Sequence, residues 1–325
     1  MGQAILSGSP ISYFPNAYPL LVAVVTFFSG SYNQTVLVLI NIAAQILTLF
    51  IVERILVHFN IEEKTRLIIL VIIAFFPDQF ARVRFIMTEP VSVLCLALSI
   101  YLLITKKYLL SGFVSYLTFS LRPSLILFAP LIVIYELYNG NKTGSLKIVA
   151  GFAAGVMVFT LLNILGITAP SINESQNILV SIQSFGYNIN HSYSNFTQEQ
   201  ISNPIKTYFS FIISNPITYL EQRVLSLWSL WGPYVPSDLG IIGMILQSLR
   251  FPFFLIALVT VIFSKKLNIN RDFVFIFFAP VFSITIVQLL FFSTQRHQFA
   301  AEPFVVILSV VGVVYFLKRK LSFSL

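Results

Sequence analysis

The sequence predicts an all-α, polytopic integral membrane helical bundle of about nine transmembrane helices, with interfacial amphipathic helices beside them. Three observations predict it. Of 325 residues, 57% are hydrophobic and only 10% are charged, where a soluble domain carries about 25% charged residues. Mean hydropathy is +0.87. The apolar residues also come in continuous runs, on the scale of the roughly 20 residues that cross a bilayer. These features exclude a water-soluble enzyme, a disordered chain and a nucleic-acid binder. The net charge of +8 is read as membrane topology, not as the mark of a polyanion partner. A single cysteine, Cys95, lies in an apolar run, so a disulfide framework and a cysteine metal site are excluded.

Nine apolar runs follow in order. They are Asn33–His58, Thr65–Phe80, Pro90 to the pair Lys106-Lys107, Tyr108–Leu121, Pro123–Tyr138, Leu146–Ile167, Leu239–Ser264, Phe273–Ser293 and Pro303–Leu317. They divide the chain into a transmembrane region with an N-terminal interfacial helix (1–167), an extracytoplasmic loop with an amphipathic helix (168–238) and C-terminal transmembrane helices (239–325). Orientation follows from the basic residues. Arg54, Lys64, Arg66, Lys106, Lys107, Lys142, Lys147, Lys265, Lys266, Arg271, Lys318, Arg319 and Lys320 all fall at one set of ends, whereas Thr168–Asp238 holds only Lys206 and Arg223. The positive-inside rule then predicts a cell-membrane protein with a cytoplasmic C-terminus. Nine crossings place Met1 outside.

Two segments read as interfacial rather than spanning. Pro19–Phe28 is half a span long and follows Tyr13-Phe14-Pro15-Asn16-Ala17-Tyr18, which predicts an outer helix with Tyr13, Phe14 and Tyr18 at headgroup depth. The second starts at Asn215-Pro216, an N-cap followed by proline at the first helical position. Its apolar face (Ile217, Leu220, Val224, Trp228, Trp231) is expected to rest on the membrane or the bundle top, with Gln222, Arg223, Ser226 and Ser229 opposite. The loop between holds the sequons at Asn173, Asn190 and Asn195, matches expected by chance in an Asn-rich stretch.

Ionisable residues at membrane depth are functional candidates by default. The densest outer cluster runs from Phe76 to Pro90 and offers two acids, Asp78 and Glu89, with two guanidinium groups, Arg82 and Arg84. Arginine binds phosphate through a planar fork of donors, and a carboxylate beside it can accept a proton in a reaction. The plainer reading is interfacial arginines snorkelling to lipid phosphate beside solvating acids. Thr88-Glu89-Pro90 also reads as a helix start, with Thr88 capping and Glu89 at the positive end of the dipole. Arg122-Pro123 marks another outer junction. The last outer loop joins Arg296, His297 and Glu302. His297 with Glu302 offers two ligands to a divalent metal ion, too few to specify one.

In this order the pieces resemble the GT-C superfamily of polytopic glycosyltransferases, in the branch of bacterial protein mannosyltransferases and lipid A aminoarabinose transferase. The resemblance rests on the aromatic-proline segment Tyr13–Pro19, the Arg82–Pro90 loop ending in Thr-Glu-Pro, Arg122-Pro123, a large outer loop, and Arg296–Phe304. It implies transfer of a sugar from a polyprenyl-phosphate donor to a lipid, glycan or protein acceptor on the extracytoplasmic face. Arg82, Arg84, Arg122 and Arg296 would bind the donor phosphate, with His297 and Glu302 beside them. The family's usual base is an acid in an outer loop upstream of the aromatic-proline segment. If the chain is complete, Glu89, which matches the family's second outer acid, or else Asp78, must serve instead. Membrane lipids are the other partners implied. In the family, a first span and an acidic outer loop precede the aromatic-proline segment. The expectation is therefore that a span and its acid precede Met1, or that the chain is an inactive relative. Two other functions fit the same composition: a glycolipid transporter or O-antigen-type polymerase, and a scaffold in a glycan-assembly complex. Few mid-span polar groups (Asn41, Gln45, Asn163, Gln288) argue against a transport path.

Overall fold

The computed structural model of the protein describes residues 17–77, 79, 87–165, 196–233, 248–290 and 299–322. It is all-helical, 85% helix with no strand among the described residues. The helices are α1 (Ala17–Ser29), α2 (Gln34–His58), α3 (Glu63–Phe75), α4 (Glu89–Ile104), α5 (Tyr108–Leu121), α6 (Phe128–Tyr138) and α7 (Lys142–Ile164). After these come α8 (Gln198–Ser202), α9 (Pro204–Ser214), α10 (Pro216–Trp231), α11 (Arg250–Phe263), α12 (Arg271–Leu290) and α13 (Glu302–Ser322). A 3-10 turn, Pro123–Leu125, separates α5 from α6. Three helices, α2, α7 and α12, are long and apolar enough to cross a membrane. The other apolar helices, including α1, α4, α5 and α11, have only 10–17 residues. Of the nine expected spans, three thus meet both the length and the apolarity of a span among the described residues; α13 is long enough, at 21 residues, but carries Lys318, Arg319 and Lys320 near its end.

Local chemistry sets several helix ends. Asn33 accepts from the Val36 N–H at 3.1 Å, and Asn141 accepts from Gly144 N–H at 2.9 Å, so α2 and α7 each start on a side-chain cap. Reversals use left-handed residues: Asn60 (φ 55°), Lys106 (60°), Gly140 (78°) and Asn268 (55°). Asn and Gly tolerate that region best; Lys106 is the exception.

These four turns lie at one end of the bundle, which side-chain contacts tie together. Lys318 Nζ meets Glu62 Oε2 at 2.6 Å, Arg319 donates to the Lys266 carbonyl, and Arg271 donates to Asn139 Oδ1 at 2.9 Å. Just inside, Arg66 Nε pairs with Glu53 at 2.9 Å. The basic loops that the sequence groups together are therefore grouped in space as well. Towards the middle, α12 and α13 fill the core with Phe273, Phe277, Phe304, Ile307 and Leu308, all fully or nearly fully buried.

Helices α4, α5 and α7 approach through small residues. Ser99 on α4 bonds Ser115 at 2.7 Å and the Ser111 carbonyl at 3.0 Å on α5. Between α5 and α7 the contact is glycine against backbone: a Cβ on Gly112 would strike the Ile148 carbonyl, one on Gly151 the Leu109 carbonyl, and one on Gly155 the Tyr116 ring. Gly151 and Gly155 form the small-xxx-small spacing that lets membrane helices touch backbone to backbone. Gly151→Leu has no room without separating α5 from α7. It is expected to lower the unfolding free energy in detergent by about 1–3 kcal/mol, the usual scale of overpacking. Gly140→Leu, at an open turn, should cost only the strain of its positive φ.

Candidate functional site

At the end opposite the basic loops, the structure places a buried ion pair. Glu89, the first residue of α4, is fully buried, and Arg122 is 6% exposed. Arg122 Nη2 lies 2.8 Å from Glu89 Oε1. The local cause is Pro123, which disfavours the helical region for the residue before it. Arg122 is extended at φ −143°, ψ 98°, so α5 ends there and the side chain crosses to α4. Thr88 does not cap α4; its hydroxyl is spent on Glu89 Oε2 at 3.3 Å. The expected N-cap role of Thr88 is thus corrected: at φ −71°, ψ −18° the residue is already in the helical region, not the extended one from which a cap hydroxyl accepts the first free N–H groups. Asn215 likewise makes no side-chain cap on α10 and donates instead to the Phe211 carbonyl at 3.4 Å.

Helix α1 covers this pair. Tyr18, expected at headgroup depth, is 7% exposed and packs with Val22, Val25, Leu37 and Leu121. Burial pushes its phenol up to about 12; the Glu89 charge adds to that shift and Asn41 opposes it. Tyr18 faces inward because α1 lies against α2 and α5, an arrangement that brings its ring to the buried side. Tyr13 and Phe14 lie outside the described residues, as do Asp78, Arg82, Arg84, Arg296 and His297.

Glu302 is described. It opens α13 before Pro303, as Glu89 opens α4 before Pro90, and it too is buried, at 2% exposed. Gln79 donates to Glu302 Oε2 at 3.2 Å and to the Phe299 carbonyl at 3.0 Å. One amide therefore joins the chain just before Arg82 to the chain just after His297. That Gln79 would do this was not legible: a neutral amide next to Asp78 carries no signal in a sequence.

A third polar layer comes from α10 and was only half anticipated. Gln222, Arg223, Ser226 and Ser229 are all buried, while Ile217 (74%), Leu220 (64%) and Val224 (60%) are exposed. The polar face packs on the protein and the apolar face looks outward, so the choice between membrane and bundle top is resolved against the bundle top. Trp231 departs from the pattern: it is buried, stacked on Phe254 at 4.5 Å, with its indole donating to Thr285 at 3.0 Å. The Arg223 guanidinium sits 5.1 Å from the Tyr219 ring centre. Burial lowers its pKa, opposed by Tyr208 and Tyr219. Tyr208 closes the layer by donating to the Leu290 carbonyl at the end of α12. Arg250, at the start of α11, is 2% exposed, and its Nη2 reaches the Gly232 carbonyl at 3.5 Å. Through Ser283, which donates to the Ser124 carbonyl at 3.3 Å, α12 links this layer to the Arg122 turn.

No protein-family model, curated protein or solved structure matches this chain. The reading of the site therefore rests on its own residues. Among the described residues, no three His, Cys, Asp or Glu side chains form a group that could hold a metal ion. What the described site provides is three buried arginines, Arg122, Arg223 and Arg250, and two buried acids, Glu89 and Glu302, at one end of the helical bundle. Such an end can hold a phosphate-bearing headgroup and move a proton. Arg250 lies inside the expected run Leu239–Ser264; its burial depends on α10, and no local pattern reveals that.

Proposed function

We propose that this protein is a membrane glycosyltransferase of the GT-C type, with about nine crossings, that moves a sugar from a polyprenyl-phosphate donor to an acceptor on the extracytoplasmic face. The observation that supports this most is the buried Glu89–Arg122 pair at the end of the bundle away from the basic loops. Ionised groups are costly at membrane depth and are kept there chiefly for function.

In this reading, the acceptor hydroxyl gives its proton to the Glu89 carboxylate as its oxygen bonds to the anomeric carbon. The bond from that carbon to the donor phosphate oxygen breaks, and its electron pair leaves with polyprenyl phosphate. Negative charge grows on that phosphate, and prealigned guanidinium groups stabilise it where it forms. Arg82 and Arg84 precede Glu89 in sequence and Arg296 precedes Glu302, so these arginines are assigned to the phosphate, with Asp78 the second acid of the same segment. Arg122 holds the carboxylate in place. A divalent ion is not required by this scheme.

The same pairing favours one other reading, a non-catalytic scaffold in which Glu89 and Arg122 are purely structural. Purified protein in detergent, given a polyprenyl-phosphate-linked pentose or hexose and a lipid acceptor, separates the two. The transferase reading expects free polyprenyl phosphate to accumulate in proportion to protein. No release above the protein-free control, over a panel of donor sugars, leaves the scaffold.

A further inference from the structure

Helices α9 and α10 turn one face to the bundle and the other away from it. Both open on the same triplet, Asn203-Pro204-Ile205 and Asn215-Pro216-Ile217, with proline at the first helical position, where its missing N–H costs nothing. On α9 the outward stripe is Ile205, Phe209 and Ile213, spaced four apart and 57%, 58% and 80% exposed. On α10 it continues as Ile217, Leu220, Val224 and Trp228, at intervals of three and four, with Trp228 49% exposed. The inward faces carry Tyr208 on α9 and Gln222, Arg223, Ser226 and Ser229 on α10, all buried. Large apolar side chains exposed along two successive helices mark a contact with a membrane or a protein.

Two observations name the membrane. The first is level. Tyr208 donates to the carbonyl of Leu290, the last residue of α12, which is long and apolar enough to cross a bilayer. The pair therefore sits where a crossing ends. The second is tilt. Tyr219 Oη reaches the same carbonyl at 3.5 Å, and the Trp231 indole donates to Thr285 at 3.0 Å. From Tyr219 to Trp231 α10 advances roughly 18 Å, whereas from Leu290 back to Thr285 α12 covers only about 7.5 Å, at 1.5 Å per residue. Helix α10 thus crosses the end of α12 obliquely and sinks by about 7.5 Å over that length. An amphipathic helix lying on a bilayer buries its apolar face to a similar depth, about 5–10 Å into the boundary of headgroups and chains.

We infer that α9 and α10 lie in the leaflet at this end of the bundle, their apolar stripes among the upper acyl chains and Trp228 at the headgroup boundary. They add a lipid contact to the protein without adding a crossing. Aromatic residues favour that boundary because one end of the ring system is apolar and the other can hydrogen-bond. No residue of either stripe has a role in the transfer scheme, so this contact stands or falls separately from the transferase reading.

The chain carries its own reporter. It has two tryptophans, and Trp231 is buried and stacked on Phe254. The test is tryptophan fluorescence of the full chain in phosphatidylcholine vesicles, with a nitroxide quencher at carbon 5 or at carbon 12 of the acyl chain, and with acrylamide as the quencher from water. The carbon-5 label should quench more than the carbon-12 label, and acrylamide should quench little. That preference should vanish in Trp228→Phe. Leu220→Glu, at an exposed position of the stripe, should lose carbon-5 quenching and gain acrylamide quenching with its unfolding midpoint retained; this variant decides the matter if Trp228→Phe fails to fold. Quenching by acrylamide alone would show a stripe in water, and quenching by none of the three a stripe covered by protein, such as a second copy. Stronger quenching from carbon 12 would show a crossing. Each of these overturns the proposal, as does a carbon-5 preference that survives Trp228→Phe or is unchanged in Leu220→Glu.

Discussion

Arg122→Met is expected to destabilise the protein by roughly 3–5 kcal/mol, the cost of leaving a buried charge without its partner. The carboxylate of Glu89 is fully buried and Arg122 Nη2 is 2.8 Å from it, so solvent is not available to take over. Glu89→Gln should be damaging for the mirror reason, because the guanidinium of Arg122, itself 6% exposed, is left with a neutral partner. The informative variant is the double one, Glu89→Gln with Arg122→Met. With both charges gone, little is left to solvate, and replacing a buried pair by neutral groups is often close to neutral in stability. The double variant should therefore be more stable than Arg122→Met alone, with a coupling energy of about 1–3 kcal/mol in a double-mutant cycle. Unfolding in mixed micelles measures all four chains. Strictly additive losses would show that the two side chains do not depend on each other.

The second large effect is on chemistry. If Glu89 takes the acceptor proton, Glu89→Gln removes the base and should lower transfer by about 10²–10⁴-fold. Because the same substitution also disturbs the ion pair, a loss of activity by itself would be ambiguous. Glu89→Asp resolves this. It keeps the charge and withdraws the carboxylate by one methylene, so Arg122 retains a countercharge while the base is displaced. Its stability should lie close to that of the native chain and its transfer rate well below it. Donor binding, which the transferase reading assigns to the arginines, should change little in either variant.

The fold was legible where the membrane dictates it. A chain that crosses a bilayer must satisfy its backbone internally and present apolar side chains outward, so long apolar runs announce helices. Those expected from Asn33 to His58, Tyr108 to Leu121 and Asn215 onward begin and end within a residue or so of α2, α5 and α10. The break at Arg122-Pro123 was visible because proline restricts its predecessor whatever surrounds it. Side-chain facing was harder to read. In α10 a polar stripe and an apolar stripe are plain in the sequence, but which of them meets the protein depends on whether the other meets water or lipid. Tyr18 shows the same dependence: an aromatic beside proline suits a headgroup layer, but that its ring packs with Leu37 and Leu121 follows only from α1 lying on α2 and α5.

The candidate site was legible in its charged members and not in its neutral ones. Glu89, Arg122 and Glu302 stand out because ionisable groups are rare in such a chain. That Glu89 and Arg122 form one unit could not be read, since they are brought together by the α4–α5 packing that the serine and glycine seam permits. Gln79 gave no signal, as a neutral amide becomes informative only once its partner is known, whereas Gln222 was visible only as one member of the polar stripe of α10. Arg250 lies inside the expected apolar run Leu239–Ser264, where nothing local marks it as buried; its burial goes with its reach to the Gly232 carbonyl at the end of α10.

The most direct test of the central claim is the rate at which purified native chain, Glu89→Asp and Glu89→Gln release polyprenyl phosphate from a sugar-loaded donor, each measured beside its unfolding midpoint. A catalytic Glu89 predicts turnover by the native chain, a partial loss in Glu89→Asp with the fold retained, and the loss of about 10²–10⁴-fold in Glu89→Gln. Native-level turnover in a folded Glu89→Gln would contradict it.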